Sequence, residues 1–207
     1  ELTLAGARVS VDRFTTSAIG AVSFVDGQLE TAATHVTNTA PFVVGDGVRP
    51  ATLVLRGGTH RFAGGLVVRP GARVLGWGTV VGAVTNQGII RANSANGPLR
   101  FENAVNNQGV LRLGTAGSLE LPGGLDNTGT YVSTRPVAPQ LSVQPLAGAG
   151  QFTFVAEAGI DYRVFARPAF GIGTWTATQT LAGRGSAEQI EFSLVDDQRF
   201  FRVEVLP

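Results

Sequence analysis

The chain has 207 residues, a formal net charge of +1, 43% hydrophobic and only 15% charged residues, with no Cys and no Met. This composition is too apolar for a disordered chain and too weakly charged for a surface drawn to nucleic acid or an anionic membrane. The absence of Cys excludes a disulfide framework and a thiolate metal site. All 16 basic residues are Arg, so lysine chemistry (a Schiff base, a P-loop lysine or a Lys isopeptide cross-link) is excluded as well.

In chain order, the first predicted element is a strand over residues 1–11, where Leu2, Leu4, Val9 and Val11 carry period-two alternation. Gly45-Asp46-Gly47 predicts a corner, Ala51–Arg56 and Gly65–Arg69 predict short strands, and Arg69-Pro70-Gly71 a second corner. An internal repeat follows. Residues 83–91 (AVTNQGIIR) match residues 104–112 (AVNNQGVLR), and residues 124–132 (GLDNTGTYV) form a third copy. Its asparagines, Asn86, Asn107 and Asn127, are 21 and 20 residues apart. This period fits one coil of a β-helix, in which equivalent positions of successive coils stack roughly 4.8 Å apart. Stacked asparagines can then hydrogen-bond as a ladder along the axis. Val84, Val105 and Leu125 make an inward apolar stack, and Gly88, Gly109 and Gly129 are expected to take positive φ at a corner. Residues 1–132 would form roughly six coils, about 30 Å long at that rise.

Composition changes near residue 135. Every Asn lies between Asn38 and Asn127, and nine of the 16 aromatic residues lie beyond residue 150. Residues 133–140, with two prolines, are expected to be a linker. Strands are predicted near 151–156, 161–166, 174–180, 189–195 and 199–205, with Trp175 in their core. No segment has helical periodicity with caps. The expected fold is all-β: a β-solenoid over 1–132, then an immunoglobulin-like antiparallel β-sandwich over 141–207.

The run from Val43 through Ala51–Gly65 and Leu66–Gly82 to Val84-Thr-Asn-Gln-Gly88 resembles the repeat-rich passengers of autotransporter-like exported bacterial proteins. The stretch containing Asp161–Val164, Trp175 and Arg199–Val203 resembles a small β-sandwich module at the end of such proteins, of a Verrucomicrobia-like or Planctomycetes-like type. The resemblance implies export and carries no shared catalytic residues. The chain begins at Glu1 without an initiator Met, and the expected origin is a mature exported product or a cut piece. The expected location is the cell surface or extracellular space.

Catalytic groups are sparse. His35 and His60 stand in no metal-ligand spacing and are expected at the surface or in turns. Glu102 and Glu120, 18 residues apart, are candidates for a glycosidase-like carboxylate pair across one rung, and more simply two solvated charges. Asp196-Asp197 suggests a hairpin turn, without the spacing of a calcium loop. Glycine pairs precede no helix and make no phosphate cradle. Arg91 and Arg112, one coil apart, are expected to form an outward row that could face a glycan. No catalytic residue, metal site or cofactor is expected.

An open coil end presents unpaired N–H and C=O groups that template further pairing; the sandwich could cap the C-terminal coil, while the N-terminal end begins at once with a strand pattern and no polar cap. The expected function is therefore a non-enzymatic extracellular structural subunit that joins copies of itself head-to-tail into a filament or surface layer, with Leu2, Leu4, Val9 and Val11 as the assembly strand. The alternatives are an adhesin or polysaccharide-binding stalk and, more weakly, a polysaccharide lyase or hydrolase. Neither nucleic acid nor membrane insertion is expected.

Overall fold

The computed structural model describes all residues except 1, 18–21, 137, 147–148, 168–172, 194–199 and 207. The chain divides into two compact units, Glu1–Arg135 and Pro136–Pro207. In the first unit the strands are β1 (Leu2–Leu4), β2 (Arg8–Thr16), β3 (Val22–Phe24), β4 (Gly27–Val36), β5 (Phe42–Val44), β6 (Ala51–Phe62), β7 (Leu66–Val68) and β8 (Arg73–Val81). They are followed by β9 (Val84–Asn86), β10 (Ile89–Ala92), β11 (Pro98–Phe101), β12 (Val105–Asn107), β13 (Val110–Leu113), β14 (Ser118–Glu120), β15 (Leu125–Asn127) and β16 (Thr130–Val132).

These strands wind into a parallel β-solenoid of about six turns. One sheet stacks the short strands in the order β1-β3-β5-β7-β9-β12-β15, and the other stacks β16-β13-β10-β8-β6-β4-β2, with β11 and β14 continuing its later coils. Both sheets are parallel because each coil returns to the same face in the same direction. The longer strands bend to turn the coil. Strand β6 bends at Gly57 and Gly58, both with positive φ, and a Cβ on Gly57 would lie 2.4 Å from the Trp77 indole. In later coils the bend becomes a corner between separate strands, β10 and β11 and then β13 and β14.

Alternation puts every second residue inside, and the register aligns these residues into rows. One row runs Val9, Leu29, Leu53, Val74, Ile90, Leu111, Tyr131. A second runs Leu4, Phe24, Val44, Val68, Asn86, Asn107, Asn127. A third, past the bend, runs Phe14, Thr34, His60, Val80, Phe101. Phe42 bridges the two sheets by packing against Phe14 and Phe62, with ring centroids 6.0 and 5.4 Å away.

The second unit holds β17 (Ser142–Leu146), β18 (Ala149–Ala156), β19 (Asp161–Arg167), β20 (Thr176–Ala182), β21 (Ser186–Ser193) and β22 (Phe200–Val205). They form two three-stranded antiparallel sheets, β17-β18-β21 and β20-β19-β22. The inward residues Phe152, Phe154, Tyr162 and Val164 make one core with Phe192, Phe201 and Val203. Strand β17 lies within the expected sandwich range but ahead of its first expected strand. It is an edge strand of its sheet, the position to which a proline such as Pro145 is confined. Trp175 is absent from the core cluster. It is half-buried, and its ring lies beside the guanidinium groups of Arg167 (4.8 Å) and Arg202 (4.9 Å).

Candidate functional site: an open coil edge

The asparagine row becomes a directional ladder. Asn86 Nδ2 donates to Asn107 Oδ1 (2.7 Å) and to the Val110 carbonyl (2.9 Å). One coil on, Asn107 Nδ2 donates to Asn127 Oδ1 (2.6 Å) and to the Thr130 carbonyl (3.0 Å). Asn86 and Asn107 are fully buried, so these bonds satisfy amides that would otherwise be costly to desolvate. Asn86 Oδ1 also accepts from the Gly88 N–H (3.2 Å).

Gly88, Gly109 and Gly129 are needed for a reason other than the one expected. None has positive φ. They are small because the preceding coil passes against them: a Cβ on Gly109 would sit 2.2 Å from the Gly88 carbonyl oxygen, and one on Gly129 would sit 2.3 Å from that of Gly109. The Gly109 N–H donates to the Asn86 carbonyl, and the Gly129 N–H to that of Asn107, both at 2.9 Å.

The ladder points its donors toward the C-terminal end of the stack, and within the solenoid unit it ends at Asn127. Asn127 is exposed, and Nδ2 keeps a bond to the Gly129 carbonyl of its own coil at 3.2 Å. The two inter-coil bonds that Asn86 and Asn107 make have no counterpart at Asn127 among the described residues. The apolar rows stop in the same way. Leu111 is 0% exposed, while Tyr131, the next residue of its row, is 42% exposed. Strands β14, β15 and β16 each pair on one side only among the described residues. The chain continues past this edge into the second unit, so the edge is not an end of the sequence.

The other edge carries β1 and β2. Of the residues expected to form an assembly strand, Leu2 is 45% exposed, Leu4 is buried in the core, and Val9 and Val11 are half-buried against it. Charge borders this edge, with Arg8 3.7 Å from Glu30, and Asp12 3.6 Å from Arg56. Charges of this kind discourage indiscriminate edge pairing.

The other candidate residues are placed as follows. Arg91 and Arg112 do not form an outward row: they are 2% and 0% exposed, neither guanidinium is free, and Arg112 Nε donates to the Leu113 carbonyl at 3.0 Å. Their spacing stacks them one coil apart, but spacing does not reveal whether a face is covered. Glu102 and Glu120 do converge, on Arg100, which lies 2.7 and 2.8 Å from them. The hydrogen bond from Arg100 holds the Glu102 carboxyl below its ordinary value, so this carboxylate stays ionised and is unsuited to donating a proton. His60 is buried rather than at the surface. Thr34 Oγ1 lies 3.0 Å from Nδ1, and the Gly57 carbonyl lies 2.8 Å from Nε2, where an N–H donates to it. Burial pushes its pKa down to about 4. His35 is exposed beside Arg61. Asp196 and Asp197 lie outside the described residues. Among the described residues no group of three His, Cys, Asp or Glu is placed to hold a metal ion, and no helix is long and apolar enough to cross a membrane.

Sequence reasoning missed the open ladder end and Tyr131. The signal was present, since Tyr131 falls two residues after Gly129, where the earlier copies carry Ile90 and Leu111.

Comparison of the chain with known protein families, curated proteins and solved structures finds no match.

Proposed function

We propose that this protein is a non-enzymatic, extracellular structural solenoid whose open C-terminal coil edge accepts the first coil of a neighbouring copy. The observation that carries the proposal is Tyr131, a core-row residue left 42% exposed directly beyond the fully buried Leu111. A further coil seated there would bury its ring, and the exposed Asn127 amide would find the inter-coil acceptors that its two predecessors have. In a head-to-tail stack, Val9 of the incoming copy continues the row that ends at Tyr131. The contact joins unlike surfaces and therefore propagates as a filament rather than closing on itself as a symmetric dimer does. The charged border of the opposite edge favours one register over indiscriminate pairing. The resemblance of residues 43–88 to autotransporter-like exported passengers supports an extracellular setting.

Sedimentation velocity over a dilution series tests the proposal. The wild-type chain shifts to larger species as concentration rises, and Tyr131→Asp, which puts a charge into the contact, remains monomeric. A wild-type chain that stays monomeric throughout the series refutes it.

A further inference from the structure

The arginines of the solenoid differ in how they are neutralised. Arg8 pairs with Glu30, Arg49 with Asp46 and Asp26, Arg56 with Glu30 and Asp12, and Arg100 with Glu102 and Glu120. Arg13 and Arg61 have no acidic partner among the described residues, although both are exposed and lie on the same part of the coil surface. His35 is exposed between them, on β4. The register makes the grouping specific. His35 pairs with Arg61 across one rung, so their backbones lie roughly 4.8 Å apart. Arg13 pairs with Ala33, two residues before His35 on the neighbouring strand.

Two surface hollows, of about 390 and 340 Å³, meet at His35 and Arg61. Arg13, Thr34 and Thr59 line one, and Gly82 and Asn103 line the other. Among the described residues no Asp or Glu lines either hollow. Asn103 is held in place because its Oδ1 accepts the Gly82 N–H at 2.8 Å.

We propose that this groove binds an anionic polysaccharide, with Arg13 and Arg61 as the anchoring cations and His35 between them. A guanidinium offers two parallel N–H donors that match a carboxylate or sulfate group. Three cation-capable side chains on successive rungs suit a linear polymer whose anionic groups recur along its length. The hollows are open, which suits a chain lying across the surface rather than an enclosed small molecule. Nucleic acid is disfavoured because, among the described residues, no exposed aromatic ring lines the groove: Phe62 there is 1% exposed, and single-strand binding relies on stacking platforms. This inference does not depend on assembly at the coil edge.

Isothermal titration calorimetry on the full chain tests it, with polygalacturonate as a carboxylate polymer, dextran sulfate as a sulfate polymer, neutral dextran as the blank and a single-stranded oligonucleotide as the competing polyanion. At low salt, one or both charged glycans bind and neutral dextran does not, and which glycan binds more tightly identifies the anionic group. The double variant Arg13→Ala/Arg61→Ala weakens that binding by about tenfold or more, the loss expected for two charge-assisted contacts. Arg69→Ala, which removes an exposed arginine outside the groove, leaves it unchanged. Both groove side chains are exposed, so the double variant keeps its melting temperature, and Arg61→Gln alone gives an intermediate loss. The proposal is overturned if neither glycan binds, if Arg69→Ala weakens binding as much as the double variant does, or if the oligonucleotide binds as tightly as the glycans.

Discussion

Lowering the pH through the histidine range should destabilise the solenoid, and His60 is the reason. It lies in a buried row between Thr34 and Val80, and burial moves its pKa from the ordinary 6.5 down to about 4. The folded protein therefore keeps His60 neutral, while the unfolded chain begins to take up a proton near pH 6.5. Between these two values the unfolded state binds more protons, so stability falls as pH falls. The stabilisation is fully present above pH 6.5 and is lost by about pH 4. At about 1.4 kcal/mol per pH unit of difference, the loss is on the order of 3 kcal/mol. Chemical denaturation at a series of pH values between 7.5 and 4 measures it. The comparison is His60→Gln, which does not titrate. The variant starts less stable, because it disturbs the contacts with Thr34 and Gly57, but its stability falls less steeply over this window. Solenoid carboxylates titrate in both proteins and cancel in the difference. Asp46, held down to about 2 by the N–H groups of Arg49 and Val48, works in the same direction but only below its ordinary 3.8. Identical pH slopes in wild type and His60→Gln would show that His60 does not carry the acid sensitivity.

Two further predictions concern the ladder. Asn107→Ala strands the buried Asn86 amide and removes the bonds to Asn127 and to the part-buried Thr130 carbonyl, and should cost about 2–3 kcal/mol by chemical denaturation, whereas Asn127→Ala, at the exposed end, should cost less than about 1 kcal/mol. Gly109→Ala drives a Cβ against the Gly88 carbonyl and should cost about 2 kcal/mol or more. Gly124→Ala meets nothing within 4 Å and should cost only about 1 kcal/mol, the strain of its positive φ.

Much of the solenoid is legible in the sequence because its physics is periodic. The Asn86, Asn107 and Asn127 spacing marks equivalent positions in successive coils, and the register pairs them as spaced. Where coils change length, the signal is lost. His35 and Arg61 are 26 residues apart because the pairing of β4 with β6 shifts between Thr31 and Thr34, and Arg13 pairs with Ala33 rather than with His35, so no fixed period links the three. Burial was the other gap. Arg91 and Arg112 stack at the spacing of one coil, yet a one-dimensional pattern says nothing about solvent on the face they occupy. His60 occupies an inward position that alternation from Phe62 would assign, but the adjacent Gly57 and Gly58 bend interrupts the count. Strand β17 escaped notice because Pro145 disfavours a strand except at a sheet edge, and the sequence does not show which strand lies at an edge.

Head-to-tail assembly is visible by electron microscopy of the concentrated protein. The wild type forms filaments with one subunit per axial repeat, and Tyr131→Asp gives dispersed particles. Dispersed single particles of the wild-type chain under the same conditions would contradict it.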